Sequence, residues 1–258
     1  MNILVLLAGV ADNRFPLHQL GVDEQGAVVE SGHARRQLSP FDEGAMELAL
    51  KLRDSDESVR IDVLVLEGLA DDGVLRAVAA FKPDSVRRLA PQPARLWDGA
   101  FCATQFAAAI GTNDVAPDLI LIGREFGDQD EGSLPVMLAA ELGYSHVALV
   151  QFAQWHEGDV RLMRESGVAR EWYRLAGRTL ATITNDKRNK LRHPLMKNVM
   201  AAKRQSFETL AAPQCTEVAP MQLDGLHAAA PVQRDVQCQI LAGSLREQAQ
   251  ALAALLRR

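Results

Sequence analysis

Residues 123–134 (GREFGDQDEGSL) concentrate features that could do chemistry. Gly123, Gly127 and Gly132 let a backbone approach a ligand closely. The helix start expected near Ser133 offers amides and the positive end of a dipole to an anion. A nucleotide phosphate suits such a loop. An ordinary left-handed turn followed by an N-cap suits it equally, and the local residues leave both readings open. Neither Gly-x-Gly-x-x-Gly nor Gly-x-x-x-x-Gly-Lys-Ser/Thr occurs in the chain, so the two commonest nucleotide fingerprints are absent. Asp128, Asp130 and Glu131 could hold a hard cation, but the full spacing of a calcium loop is missing. No Gly-x-Ser-x-Gly, no His-Glu-x-x-His and no cysteine placed usefully near a histidine supports a hydrolase, and the 6 histidines are scattered. Nothing points to acid–base or nucleophilic catalysis by this chain alone.

A second group is the basic segment 185–204. Lys187, Arg188, Lys190, Arg192, Lys197, Lys203 and Arg204 fall in residues 187–204 with no acid among them. Leu195 and Met196 follow Pro194 in the middle of these charges and read as a contact tip, whereas the charges alone would read as a solvated face. No Phe, Tyr or Trp interleaves the charges, so stacking on nucleic-acid bases is unsupported.

The elements that must position these groups follow from spacing. Apolar residues make up 48% and charged residues 24% of 258, the balance of a folded chain rather than a disordered one. Lysines and arginines number 28 against 33 acids, a net charge of −5, which argues against a generic nucleic-acid binder. Continuous apolar runs at 2–7 (NILVLL), 61–66 (IDVLVL) and 118–122 (DLILI) read as strands buried on both faces of a parallel sheet. Phe41, Ala45, Leu48, Ala49 and Leu52 form a helical stripe. Ser39 is its expected cap, Pro40 fits its first turn, and Asp42 stands where a capping-box acid belongs. Residues 73–81, 98–110 and 133–142 read as further helices. This alternation predicts an α/β fold with right-handed crossovers, in which ligands bind beyond the carboxyl ends of the strands. Those ends follow Leu7, Leu66 (at Glu67-Gly68) and Ile122.

Two stretches depart from the alternation. Residues 20–29 read as a hairpin around an acidic, glycine-containing turn. After Val147 the texture becomes β-rich, at 147–152, 160–163 and 179–184, with Gly158-Asp159 as a turn. Residues 205–235 are rich in Ala, Gln and Pro and read as an extended arm. It leads to a final helix with Ser244 and Glu247 as capping box and Leu245, Leu252, Leu255 and Leu256 as its apolar residues. The expected domains are therefore 1–204, including the basic segment, and 205–258. Cys102, Cys215 and Cys238 are odd in number and far apart, which argues against a disulfide framework, a zinc ribbon or an iron–sulfur cluster. The apolar stretch at 3–10 is too short to span a bilayer and lacks the flanks of a signal peptide. A cytoplasmic protein is the default expectation.

At this point the residues match a known family. From Met1 to about Phe207, and more loosely through the last helix, the chain resembles the β subunit of electron transfer flavoproteins. Ser39-Pro-Phe-Asp-Glu-Gly-Ala-Met-Glu-Leu-Ala-Leu is similar to the family's Asn-Pro-Phe-Asp/Cys-Glu-x-Ala-x-Glu-x-Ala helix start. Asp118-Leu-Ile-Leu-Ile-Gly-Arg-Glu-Phe-Gly-Asp-Gln-Asp-Glu-Gly resembles its strand and Gly-Lys/Arg-Gln-x-x-Asp-x-Asp loop. Arg164-Glu165 sits where an Arg-Glu pair ends a strand. Asn189-Lys-Leu-Arg-His, followed by Asn198-Val-Met-Ala-Ala-Lys203, is similar to Asn-Glu-Pro-Arg-Tyr and Asn-Ile-Met-Lys-Ala-Lys. The four stretches occur in the family's order and spacing.

The resemblance implies an adenine nucleotide α-hydrolase-like fold and an FAD held mainly by an α subunit. It implies a heterodimer carrying electrons from flavoprotein dehydrogenases to a membrane quinone reductase. AMP would be a structural ligand of this subunit, or a second FAD in electron-bifurcating relatives. Carried over by position, the nucleotide residues are Leu6, Ser39, Pro40, Phe41, Asp42, a residue near Glu67, Gly123, Arg124, Asp128, Gln129, Asp130, Glu131, Gly132, Ser133 and Leu134. Glu165 would face the flavin domain, and Met196, beside Leu195, falls where the family presents an anchoring leucine. The arm and last helix would wrap the α subunit. No catalytic or metal-ligating residue is implied.

The chain departs from the pattern in places. The family's Lys-Arg after the first strand is Ala8-Gly9, its Asp-Gly-Asp-Thr-Gly-Gln is Asp128-Gln-Asp-Glu-Gly-Ser133, and Asn-Glu-Pro is Asn189-Lys-Leu. Glu131 beside a phosphate is repulsive unless Arg124 or the helix start compensates. The alternative to a carrier subunit is a free-standing adenine-nucleotide-binding module without flavin. The basic segment and the terminal arm favour the carrier, since a lone module needs neither.

Overall fold

A computed structural model describes residues 1–12, 14, 21–22, 28–29, 35–66, 72–90, 96–112, 115–128, 132–211, 238 and 240–256. The chain divides into two units, Met1–Leu226 and His227–Arg258. In chain order the first unit opens with β1 (Asn2–Leu7), the two-residue strands β2 (Val10–Ala11), β3 (Gly21–Val22), β4 (Val28–Val29) and β5 (Arg36–Gln37), and helix α1 (Pro40–Ser55). It continues through β6 (Arg60–Leu66), α2 (Gly73–Ala79), β7 (Ser85–Ala90), α3 (Gly99–Gly111), β8 (Leu119–Gly123) and α4 (Ser133–Leu142). Then follow β9 (Ser145–Val150), β10 (Phe152–His156), β11 (Asp159–Ser166), β12 (Ala169–Arg174), β13 (Thr179–Ile183), α5 (Met196–Ala202) and β14 (Glu208–Ala211).

The main sheet has seven strands in the order β14-β7-β6-β1-β8-β13-β9. All its pairings are parallel. This is the α/β class the apolar runs predict. β1 lies at the centre and feeds both faces, as a strand buried on two sides must. Ile3, Val5 and Leu7 pack with α1, α2 and β11, whereas Leu4 and Leu6 pack with α3 and α4. The smaller sheet β10-β11-β12 is antiparallel, and the Trp155 indole N–H donates to the Leu52 carbonyl of α1 at 3.1 Å. Its first turn is Glu157-Gly158, one residue earlier than expected, and both have positive φ (54° and 85°), as a two-residue primed hairpin turn requires. The hairpin read at 20–29 pairs Gly21 with Val29 and Val22 with Val28, and its turn lies outside the described residues.

Strands β7, β12 and β14 are among those not announced by their sequence. β7 (SVRRLA) carries Arg87 and Arg88, and Arg88 pairs with Asp72 at the start of α2, so the strand does not read as an apolar run. β12 (AREWYR) keeps one side exposed. β14 adds an edge to the main sheet through its backbone while Glu208 and Thr209 stay exposed, in a stretch the sequence reads as extended arm. In the second unit, α6 (Leu245–Leu256) opens on the expected box. Glu247 Oε2 accepts from the Ser244 N–H at 2.7 Å, and Ser244 Oγ accepts from the Glu247 N–H at 3.4 Å.

Candidate functional site

The carboxyl ends of β1, β6 and β8 lie side by side in the sheet, and α1 begins beside them. Its capping box is formed as its sequence predicts. Ser39 Oγ accepts from the Asp42 N–H at 3.0 Å, and Asp42 Oδ2 accepts from the Ser39 N–H at 3.0 Å. Pro40 occupies the first turn, where no N–H is needed. Asp42 does more than cap. Its Oδ2 also accepts from the Gly9 N–H at 3.1 Å, which fixes the turn leaving β1. Gly9 has φ +69°, and a Cβ there would lie 2.8 Å from Val74 Cγ2 and 3.1 Å from the Gln37 carbonyl oxygen. Asp42 is fully buried, and its Oδ1 has no hydrogen-bond partner among the described residues. Burial pushes its carboxyl above the ordinary range, while N–H groups of Ser39, Gly9 and Ala8 pull it back.

The loop after β8 closes on the same place. Gly123 packs so tightly behind α1 that a Cβ would fall 2.8 Å from Phe41 Cβ, and the Arg124 guanidinium lies 5.7 Å from the Phe41 ring centre. Gly127 (φ +70°) passes over Ala8. Asp128 is engaged: its carboxylate accepts from the Ala11 N–H at 3.1 Å and pairs with Arg36 at 2.8 Å. Arg36 also donates to the Gly9 carbonyl at 3.2 Å, so the β2–β5 ribbon is fastened across the loop. Gly132 (φ +107°) is the left-handed N-cap of α4. A Cβ on Gly99, the first residue of α3, would lie 2.7 Å from Ser133 Oγ, so the starts of α3 and α4 adjoin. Leu134 is buried beneath them, and Leu6 lies in the sheet on the same face.

The structure therefore brings Ser39, Phe41, Asp42, Gly123, Arg124, Asp128, Gly132, Ser133 and Leu134 to one edge. Glu67, Gln129, Asp130 and Glu131 lie outside the described residues. Ala8, Arg36, Leu66, Gly99, Phe126 and Asp128 contribute to the lining of a cavity of about 70 Å³ here. That is smaller than the several hundred Å³ of a typical small-molecule site. Close-packed glycines and two adjoining helix starts could hold a phosphate, while the cations beside them, Arg36 and Arg124, pair with Asp128 and Glu125. Sequence reading missed Arg36, which lies in a patternless stretch. It also missed Gly99, whose only signal is its place after the helix cap Asp98. Among the described residues no group of three His, Cys, Asp or Glu side chains could hold a metal.

The second candidate region is the segment after β13, which is paired with α1 at Glu47 and Asp54. Leu195 and Met196 open α5 and are 61% and 74% exposed, with Met200 beside them at 48%. The basic run around them is partly neutralised: Arg188 pairs with Asp186 at 2.9 Å and lies 3.6 Å from Glu165, and Arg192 pairs with Glu47 and Asp54. Glu165 also pairs with Arg170 at 3.3 Å, and its N–H donates to Gln151 Oε1 at 2.6 Å. It joins β11 to the basic segment.

Residues 26–214 match the family model described as electron transfer flavoprotein domain, a span holding both regions apart from β1 and its turn. The chain belongs to the electron transfer flavoprotein family. Its curated relatives include proteins named electron transfer flavoprotein subunit beta. The one from Bradyrhizobium diazoefficiens is 25% identical over 218 residues, covering 79% of each chain. That from Megasphaera elsdenii is 26% identical over 219 residues, covering 82% of this chain and 78% of the relative. That from Syntrophomonas wolfei is 27% identical over 177 residues, 68% of each. These relatives support a β-subunit role in an electron transfer flavoprotein. Family membership implies flavin association and an α-subunit partner. No helix among the described residues is long and apolar enough to cross a membrane.

Proposed function

We propose that this chain is the β subunit of a heterodimeric electron transfer flavoprotein, acting as a carrier with no turnover of its own, in the cytoplasm. Electrons come from flavoprotein dehydrogenases and leave toward a membrane quinone reductase. The FAD that takes up and releases them is held mainly by the α subunit. AMP is a structural ligand of this chain, held by Leu6, by Ser39 to Asp42, by Glu67, by Gly123 and Arg124, and by Asp128 to Leu134. Residues 185–204 face the dehydrogenase, Glu165 faces the flavin domain, and the chain beyond β14, with the last helix, wraps the α subunit.

The observation that carries this reading is the exposed apolar pair Leu195 and Met196 on a basic segment held against α1. A lone nucleotide-binding module has no use for such a tip, whereas a carrier that must dock transiently with enzymes does. The test is to co-express the chain with its α subunit and record the visible spectrum and the nucleotides released on denaturation. A yellow complex releasing one FAD and one AMP is expected. A colourless complex, or none, favours the free-standing module, and two flavins per heterodimer point to bifurcation.

A further inference from the structure

Gly44, Glu47, Lys51 and Asp54 lie on one stripe of α1, at i, i+3, i+7 and i+10. That stripe grips the chain between β13 and α5. A Cβ on Gly44 would fall 2.9 Å from the Thr184 carbonyl oxygen, so only glycine lets the helix come so near. Lys51 Nζ donates to the Arg188 carbonyl, and buried Asn189 donates its Nδ2 to the Gln151 carbonyl at 2.8 Å. The tightest hold is on Arg192. Its backbone N–H, Nε and Nη2 reach the Glu47 carboxylate at 3.1, 3.0 and 2.9 Å, and its Nη1 reaches Asp54 at 2.7 Å. The Glu47 side chain is only 6% exposed, so this is a forked, partly desolvated pair rather than a surface contact.

We infer that Glu47, with Asp54, acts through Arg192 as a positioning residue that presents the Leu195–Met196 tip in one conformation before any partner arrives. The inference rests on the docking role proposed above. The tip is held on both sides. Arg192 fixes its approach, Pro194 restricts the backbone φ, and beyond it Val199 and buried Ala202 pack α5 onto the core. Between these anchors the apolar side chains of Leu195 and Met196 project, flanked by exposed His193 and Lys197. A loose tip would have to be ordered on each encounter, and that cost would weaken a transient complex. The basic run thus divides its labour: Arg192 is spent on internal positioning.

The experiment uses the heterodimer co-expressed with its α subunit. Glu47→Gln keeps size and an acceptor but loses the charge. Arg192→Lys keeps the charge but loses the fork. Hydrogen exchange at the amides of 195–202 should quicken about tenfold in Glu47→Gln and less in Arg192→Lys, with β1 and β8 unchanged. The second-order rate of reduction by a flavoprotein dehydrogenase that reduces the wild-type heterodimer should fall about tenfold, with the rate at saturation retained. Unchanged exchange in both variants, or faster exchange throughout the sheet, overturns the inference. So does a wild-type second-order rate for Glu47→Gln when Met196→Ala slows it. A wild-type rate for Met196→Ala instead sinks the docking role itself, and exchange still reads the grip separately.

Discussion

Replacing Asp42 separates its two duties, capping α1 and holding the turn after β1. In Asp42→Ala the Ser39 and Gly9 N–H groups lose their acceptor, at 3.0 and 3.1 Å in the structure, and both are buried. A buried donor left unsatisfied costs about 1–3 kcal/mol, and the two are offset in part by no longer burying a carboxyl, which leaves about 3 kcal/mol. For a unit of this size that lowers the midpoint of thermal unfolding by about 6–12 °C. Asp42→Asn keeps an acceptor and should cost under about 1 kcal/mol near pH 7. The pH dependence separates the variants further. Burial raises the native Asp42 pKa above its unfolded value. Above the unfolded value the native state holds a proton that the unfolded chain has released. The contribution is therefore full below the unfolded pKa and is lost as pH rises through the native one. Asparagine does not titrate. The midpoint of wild type relative to Asp42→Asn should be highest near pH ~4 and fall toward pH ~7. Calorimetry across that range is the assay. A loss below about 2 °C in Asp42→Ala, or an advantage of wild type that grows with pH, would refute the reasoning.

Gly132→Val places a β-branched residue at φ +107° with its Cβ 3.1 Å from the Arg124 carbonyl oxygen. It should shift the start of α4 and lower the AMP recovered from denatured heterodimer by mass spectrometry, whereas full AMP recovery would detach that loop from the nucleotide. Gly143 ends α4 at φ +66° with open space around its Cβ, so Gly143→Ala should cost only the left-handed backbone penalty, about 1 kcal/mol, measured by chemical denaturation. Met196→Ala should slow reduction by the dehydrogenase without changing heterodimer assembly or FAD content, because a 74% exposed side chain supports no core. Lys197 and Lys203 changed to Gln should flatten the ionic-strength dependence of that rate, read by stopped flow. Arg188→Gln should flatten it less, since Asp186 and Glu165 already balance its charge.

The opening departures from the family's motifs have local structural counterparts. Ala8 and Gly9 stand where the family carries Lys-Arg, and Arg36 arrives from β5 to lie against the same turn, pairing with Asp128 and holding the Gly9 carbonyl. A cation beside that turn is supplied from elsewhere in the chain.

The amino-acid sequence determined by itself whatever depends on neighbours along the chain. Continuous apolar runs specified β1, β6 and β8, and the Ser39-Pro40-Phe41-Asp42 order specified a capping box, because both patterns are read within one or two turns of backbone. Gly132, read from the sequence as part of a glycine loop before a helix, sits at a left-handed position at the start of α4. Other features depend on groups far apart in sequence. β7, β12 and β14 take their place from pairing rather than apolar content, since an edge strand or a strand with one wet face needs only backbone partners. That Asp42 serves Gly9 as well as Ser39, that Asp128 is already paired, and that Arg192 is an anchor rather than part of a free field all follow from contacts spanning 33, 92 and 145 residues. Spacing along a chain shows which side chains share a face. Only the folded chain decides which of them meet, because charge and hydrogen-bond energies turn on ångströms of distance and on the water that packing excludes.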